Sequence, residues 1–271
     1  MRELAPAKIN LSLLIGPLRG DGRHELASVM QSITICDRLE LADGERDDVI
    51  CPGVEGPNLA ATAIAAFRAA TGWDGPPQRI EIDKRIPIAA GMAGGSADAA
   101  AALRLLARRS GAGSPELLHD LATALGSDVA AQIRPGRTLV RGGGEDVRRL
   151  GAPAPFGVLV LPSEASLSTA AVYAEADRLG LPRGAEELAA IDPLDAGAVN
   201  DLEPAARSLE PTIDAALERV RSAGARDALV CGSGPTVIGL FPSYEEAAAA
   251  AVDVGGPAIA ARPLIDWPSL L

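Results

Sequence analysis

The chain has 271 residues, of which 48% are hydrophobic but only 3% aromatic, and its formal net charge is −11. This length allows a large core, built mainly from aliphatic side chains, and favours two lobes or domains. The acidic charge argues against nucleic acid or an anionic membrane as a partner, and no apolar run reaches the roughly 20 residues of a membrane-spanning helix.

The N-terminal segment and the cysteines both bear on the cellular compartment. MRELAPAKIN lacks the pattern of a secretory signal peptide. Cys36, Cys51 and Cys231 form an odd, widely spaced set without metal-ligand spacing. These features predict a cytoplasmic protein with reduced thiols.

Lysine is rare among the 25 basic residues, because all of them except Lys8 and Lys84 are arginine. Lysine carries a compact point charge, whereas arginine carries a planar fork. The two lysines indicate either two sites that need a point charge or two accidents of composition, and the count alone leaves both interpretations open.

Hydrophobic periodicity and capping residues predict the elements of the first half of the chain. In chain order they are a strand in PAKINLSLLIG, a turn in RGDGRHEL, one or two strands in SVMQSITICDRLEL, a helix over 58–70, a strand in QRIEIDKRIP, a helix that runs to about Arg109, a helix from Ser114 to Gly126, a short helix in VAAQI and a hairpin in RTLVRGGGEDVRRL.

The second half of the chain is predicted to follow the same mixed pattern. Its elements are a strand in APFGVLVLP, helices over 168–179 and 211–223, a strand, glycine turn and strand in ARDALVCGSGPTVIGLF, and a helix in YEEAAAAAVDV. Strands and helices alternate without a regular βαβ repeat, which favours the α+β class. The segment GAPAP predicts a domain boundary near residue 152.

A glycine-rich loop, IPIAAGMAGGSADAA, precedes an alanine-rich helix. Gly91, Gly94 and Gly95 let the backbone approach a ligand closely, and Ser96 opens the helix. Unpaired N–H groups and the positive end of the helix dipole suit an anion such as phosphate. The alternative is a tight strand-to-helix turn in a core. The loop fits neither the Walker pattern nor the dinucleotide fingerprint.

A few polar residues outside the loop are candidates for chemistry. Lys8 near the start of an apolar strand is costly unless it is paired or functional, although its charge could instead reach water at the strand end. Asp128 follows Gly126 as a candidate base or metal ligand, and a plain N-cap is the alternative. Together they would form a cation that holds a carboxylate in place to accept a proton from a hydroxyl. His24 is a ligand candidate in a turn, whereas His119 has a structural place in a helix.

Three segments resemble, in order, the three motifs of the GHMP kinases: PAKINL, IPIAAGMAGGSADAA and VCGSGPT. Without this resemblance, the third segment is equally a simple hairpin. The resemblance implies an ATP-dependent small-molecule kinase with a two-domain α+β fold. An N-terminal ATP-binding domain would span residues 1–152, and a C-terminal ferredoxin-like α/β sandwich domain would span 153–271.

The block RGDGRHELASVMQSITICDRLEL is similar to one branch of these kinases, which phosphorylates the 2-hydroxyl of 4-diphosphocytidyl-2-C-methyl-D-erythritol in non-mevalonate isoprenoid biosynthesis. This resemblance implies Lys8 and Asp128 as the catalytic pair, and ATP with Mg²⁺ as reactants. It implies substrate contacts at Asn10, Arg23, His24, Thr169 and Tyr173, with the Tyr173 ring stacked on cytosine. It implies ATP contacts at Asn58, Pro87, Ile88, Ala89, Ala90, Gly91, Met92, Ala93, Gly94, Gly95 and Ser96.

The sequence departs from the branch at four positions, one of which is Met92, where relatives often have a leucine. Arg23 stands where relatives usually have a tyrosine, and its guanidinium plane could replace that ring against cytosine. Ala93 replaces a loop glycine, which constrains φ, and Ala97 replaces a serine hydroxyl. Asp98 is expected to serve the helix start.

Two other functions are compatible with these residues. One is another GHMP kinase, of the homoserine or mevalonate type, and the other is a non-catalytic nucleotide-binding protein with this fold. We expect a small-molecule substrate, neither nucleic acid nor membrane as a partner, and a monomer or weak homodimer.

Overall fold

The computed structural model describes residues 1–265 and residue 267. Its strands are β1 (Arg2–Leu18), β2 (His24–Asp43), β3 (Asp48–Ile50), β4 (Gln78–Asp83), β5 (Arg137–Gly142), β6 (Asp146–Arg149), β7 (Gly157–Leu161), β8 (Val199–Asn200), β9 (Asp227–Val230), β10 (Val237–Phe241) and β11 (Ile259–Ala261). Its helices are α1 (Leu59–Thr71), α2 (Gly94–Ser110), α3 (Pro115–Leu125), α4 (Ser127–Gln132), α5 (Thr169–Leu179), α6 (Ala185–Ala190), α7 (Glu203–Leu209), α8 (Thr212–Ser222) and α9 (Tyr244–Val254).

The first sheet has the strand order β3-β4-β2-β1-β8, and the hairpin β5–β6 extends it from β2. The long strand β2 pairs with β1 on one side, and on the other side it pairs first with β5 and then with β4. The register between β1 and β2 shifts between Pro6 and Lys8. The Lys8 N–H donates to the Met92 carbonyl at 3.1 Å, which ties the glycine loop to the strand.

The second sheet has the order β11-β7-β10-β9, with antiparallel neighbours. Helices follow β7 and separate β10 from β11, so the chain order is β, α, ββ, α, β, which is the ferredoxin-like arrangement. The expected two-domain α+β fold is therefore confirmed.

Helix α2 lies in the core of the first domain. Residues 97–107 are all buried, and the helix packs on α1, β1 and α4. Small alanine side chains on most faces allow neighbouring elements to approach closely. Its N-terminus opens at the surface where the glycine loop ends, so a rigid, buried helix holds the candidate anion site.

Capping residues explain why the starts of several helices could be predicted accurately from the sequence. The Asn58 side chain accepts the Ala60 N–H at 2.9 Å, and Ser114, Ser168 and Ser243 cap α3, α5 and α9 in the same way. Gly72 ends α1 with φ 65°, in the left-handed region that glycine tolerates.

The second half of the chain also contributes to the first sheet. Val199 and Asn200 of β8 pair in parallel with Ser12 and Leu13 of β1. The sequence does not indicate this pairing, because a strand of two residues is too short to show a hydrophobic periodicity. The boundary near residue 152 stays a prediction, and β8 lies beyond it in sequence although it pairs with the first sheet.

Several other elements were not predicted. These are β3, α6, α7 and β11, all of which are short. SVMQSITICDRLEL lies within the single strand β2. Within residues 1–265 and 267, no helix combines the length and apolarity that crossing a membrane requires.

Candidate functional site

A cavity of about 480 Å³ lies where the two domains meet. The glycine loop forms one wall, and the glycine turn between β9 and β10, residues 232–234, forms another. A Cβ atom added to Gly91 would overlap the Cys231 carbonyl oxygen, and one added to Gly232 would lie 2.7 Å from the Gly91 carbonyl oxygen. The two glycine segments therefore pack backbone against backbone, which side chains larger than hydrogen would prevent.

The Lys8 ammonium lies at this junction with only 6% of its side chain exposed. It donates to the Asn10 Oδ1 atom at 2.8 Å and to the Gly91 carbonyl at 3.1 Å. The Asn10 amide donates in turn to the Ser28 hydroxyl at 2.8 Å, which fixes the orientation of its oxygen. Asn10 thus accepts from the lysine and lines the cavity.

Asp128 faces Lys8 across the cavity floor. Its Oδ2 atom lies 3.8 Å from the Lys8 Nζ atom, and its side chain is 30% exposed. Asp128 occupies the first turn of α4, where the helix dipole stabilises a negative charge. The structure thus brings together the two side chains that the sequence singled out for chemistry, and it leaves the carboxylate accessible.

All loop residues expected to contact ATP line this cavity, and so does Asn58. Ala89 and Ala93 have φ values of 54° and 55°, in the left-handed region that L-residues rarely adopt. The constraint expected at Ala93 is therefore real. Ala93 holds the conformation that a glycine would adopt there.

Thr169 and Tyr173 of α5 reach the cavity from the second domain. The Thr169 and Ser233 hydroxyls share a hydrogen bond of 3.0 Å, which joins α5 to the glycine turn. Burial and, to a smaller extent, the nearby Asp128 carboxylate raise the pKa of Tyr173 to about 12. The phenol therefore stays neutral and can present its ring to a ligand.

Arg23 and His24 do not line the cavity. His24 is buried and stacks on Tyr173, with ring centroids 5.3 Å apart and planes inclined by 28°. Its Nδ1 atom donates to the Gly16 carbonyl at 2.9 Å, and its Nε2 atom lies 3.3 Å from Asp177. Arg23 is exposed, and its side chain lies over Gly143 of the β5–β6 turn. Their cytosine contacts stay predictions, because both His24 ring nitrogens face protein partners here.

Sequence reasoning gave no role to two residues that support the glycine turn, Asn200 and Glu203. The Asn200 amide donates to the Val230 and Gly232 carbonyls at 2.8 and 2.7 Å. The Glu203 carboxylate accepts the Val230 N–H at 3.0 Å. Both residues belong to the segment NDLE, residues 200–203, and its three polar side chains are the local signal that could have drawn attention to it.

The residues present fit a magnesium ion that is held mainly by nucleotide phosphates. Among the described residues, no group of three or more His, Cys, Asp or Glu could hold a metal by itself. Mg²⁺ is usually bound by one or two protein oxygens together with phosphates and water. The Ser96 hydroxyl and the Asp128 carboxylate line the same cavity and offer such oxygens.

Comparison with known families shows two matches in chain order. Residues 58–136 match the N-terminal domain of the GHMP kinases, and residues 183–257 match their C-terminal domain. The two matches lie on either side of the junction that forms the cavity.

Individual relatives are similar over nearly the whole chain. A 4-diphosphocytidyl-2-C-methyl-D-erythritol kinase of Anaeromyxobacter dehalogenans is 39% identical over 269 residues, covering 94% of this chain and 85% of the relative. A crystal structure of 4-(cytidine 5'-diphospho)-2C-methyl-D-erythritol kinase superimposes with a TM-score of 0.80 at 33% identity, covering 97% of this chain and 99% of the other. A homoserine kinase of Cytophaga hutchinsonii, with a TM-score of 0.66 and 19% identity over 98% of this chain and 94% of its own, shares the fold.

Proposed function

This chain belongs to the 4-diphosphocytidyl-2-C-methyl-D-erythritol kinase family of the GHMP kinases, and from that premise we propose how it works. It is a kinase of isoprenoid precursor biosynthesis that transfers the γ-phosphoryl group of ATP to the 2-hydroxyl of 4-diphosphocytidyl-2-C-methyl-D-erythritol. One observation supports the mechanism most directly. The Lys8 Nζ atom and the Asp128 Oδ2 atom lie 3.8 Å apart, and both residues line the cavity that the glycine loop also lines.

Asp128 is the general base in this mechanism. Its carboxylate accepts the proton of the acceptor hydroxyl as that oxygen attacks the γ-phosphorus atom, and the bond to the ADP oxygen breaks. Its exposed fraction leaves room for the hydroxyl, and its place in α4 fixes its direction. The step needs little more from the protein than positioning and charge compensation.

Lys8 orients Asp128 and offsets negative charge on the transferred group. Bonds from the ammonium to Asn10 and Gly91 hold it between the carboxylate and the loop. A buried cation stabilises this negative charge strongly, because little water is present to screen the interaction.

The loop and the start of α2 bind the ATP phosphates through backbone N–H groups. Ser96 and phosphate oxygens would hold Mg²⁺, which when bound would neutralise phosphate charge. Asn10, Thr169 and Tyr173 contact the acceptor, and we assign Arg23 and His24 to the cytidine end of it. We further propose that the enzyme acts in the cytoplasm, as a monomer or weak homodimer.

Measuring ADP release with separate acceptors tests the function. We expect turnover with 4-diphosphocytidyl-2-C-methyl-D-erythritol and none above background with homoserine or mevalonate. Turnover with either of those alone would contradict the substrate assignment. Nucleotide binding without ADP formation from any acceptor would contradict the enzymatic assignment.

A further inference from the structure

A buried cluster of three charges lies beside the cavity, and phosphoryl transfer makes no direct use of it. The Lys84 Nζ atom lies 2.5 Å from an Asp37 carboxylate oxygen and 2.9 Å from an Asp98 carboxylate oxygen. The Asp37 side chain is fully buried, and those of Asp98 and Lys84 are 4% and 13% exposed. Lys84 and Asp98 also line the cavity.

The cluster joins the two ends of the glycine loop. Asp37 of β2 accepts the N–H groups of Arg85 and Ile86 at 2.6 and 2.8 Å, directly before the loop. Asp98 belongs to the first turns of α2, directly after it. Lys84 bridges the two carboxylates, and its Nζ atom lies 3.2 Å from where a Cβ of Gly94 would be.

The charges in this cluster do not balance, because one ammonium faces two carboxylates. One oxygen of Asp98, Oδ1, is buried without a hydrogen-bond partner. Burial raises the pKa of the Asp98 carboxyl, and the Lys84 charge opposes that rise. A buried ionic group of this kind contributes little net stability compared with apolar packing. Fold stability alone therefore gives little reason for an acid at position 98.

We propose that Lys84, Asp37 and Asp98 are positioning residues for the nucleotide, which clamp both ends of the glycine loop so that its N–H groups face the phosphates. This inference rests on the proposed nucleotide site and is independent of which acceptor is phosphorylated. It gives both lysines of the chain a place at the loop, because Lys8 bonds to Gly91 within the loop and Lys84 joins its two ends through Asp37 and Asp98.

The variant Asp98→Ala separates clamping from simple charge. It removes one carboxylate near the phosphates, so an effect of charge alone would tighten nucleotide binding. It also releases α2 from Lys84, so loss of the clamp weakens binding. Calorimetric titration with the non-hydrolysable ATP analogue AMP-PNP and Mg²⁺ measures the outcome without an acceptor. We expect the dissociation constant to rise about tenfold, which corresponds to a loss of about 1.4 kcal/mol of binding free energy.

Steady-state kinetics give a second readout. The KM for ATP should rise by a similar factor, whereas the KM for the acceptor and kcat at saturating ATP should stay within about threefold. Glu3→Ala is the matched control, because Glu3 is a buried carboxylate outside the cavity. It pairs with Arg108, and the nitrogen and oxygen atoms of the pair lie 2.7 Å apart. It should cost stability and leave the KM for ATP unchanged.

Unchanged or tighter analogue binding by folded Asp98→Ala would overturn the inference. Equal changes in the KM for ATP in Asp98→Ala and Glu3→Ala would also overturn it, because they would indicate a general loss of stability. Lys84→Met should weaken analogue binding further than Asp98→Ala, since it leaves two carboxylates unpaired. If Lys84→Met fails to fold, Asp98→Ala decides the question, because it leaves Lys84 and Asp37 as a balanced pair.

Discussion

Lys8 shows how much can depend on the size of one charged group. Its ammonium has 2.8 and 3.1 Å contacts to Asn10 and Gly91, and the space of a Cβ on Gly232 lies only 3.3 Å away. A guanidinium carries the same charge but is wider and planar. This geometry favours the interpretation that position 8 needs a point charge, and substitution by arginine tests it.

Lys8→Arg is expected to lower kcat by at least about 100-fold, because the wider guanidinium group cannot occupy this space without displacing the Asp128 carboxylate or the glycine loop. Lys8→Met provides the comparison for loss of charge without added width. Steady-state kinetics at saturating ATP measure both variants. Wild-type turnover by Lys8→Arg would mean that charge alone matters here.

Asp128→Asn should lower kcat by about 100- to 10,000-fold, because the amide cannot accept the proton that a positioned base removes. The melting temperature and the affinity for AMP-PNP should stay near those of the wild type. Asp120→Asn, an exposed position on α3, is the matched control and should keep full activity. A kcat for Asp128→Asn within threefold of wild type would remove Asp128 from the mechanism.

At the scale of elements, the glycine loop combines a rigid helix with two strained alanines. Helix α2 and its loop could be predicted from glycine spacing and the alanine run, because both signals are local. The left-handed φ at Ala89 could not, because no glycine marks that position. The role of Asp98 beyond the helix start could not be predicted either, because Asp98 pairs with Lys84, directly after β4, and through it with Asp37 of β2.

Ala93→Gly is expected to raise the free energy of unfolding by up to about 1 kcal/mol, because glycine relieves the left-handed strain but adds freedom to the unfolded chain. Ala97→Gly is the matched control inside α2 and should lower it by about 1 kcal/mol or more. Chemical denaturation measures both. Destabilisation by Ala93→Gly equal to that of Ala97→Gly would contradict the strain argument.

At the scale of the whole molecule, the site exists because two domains meet through their backbones. Lys8, Asp128 and Tyr173 come from three separate regions of the sequence. Their chemistry suggested Lys8 and Asp128 as a pair, but only the resemblance to a family predicted that Tyr173 joins them, because periodicity and spacing describe neighbours along a chain. The parallel pairing of β8 with β1 and the Asn200 contacts were invisible for the same reason.

Asn200→Ala tests the support of the glycine turn across this junction. It leaves two carbonyl groups without their donor, so we expect a loss of about 1–3 kcal/mol in stability. We also expect kcat to fall, because Gly232 lies against Lys8. Ser243→Ala, which removes the cap of α9 far from the cavity, should cost about 1 kcal/mol and leave kcat unchanged. Equal kcat values for Asn200→Ala and Ser243→Ala would show that support of the glycine turn by Asn200 does not affect catalysis.

The backbone packing of Gly91 against the 231–232 segment also bears on inhibition. At this junction an added Cβ would overlap a carbonyl oxygen of the protein itself, so the substitution would disturb the fold before it could exclude an inhibitor. A compound that draws its affinity from these carbonyl and amide groups would therefore leave the target few viable routes of escape.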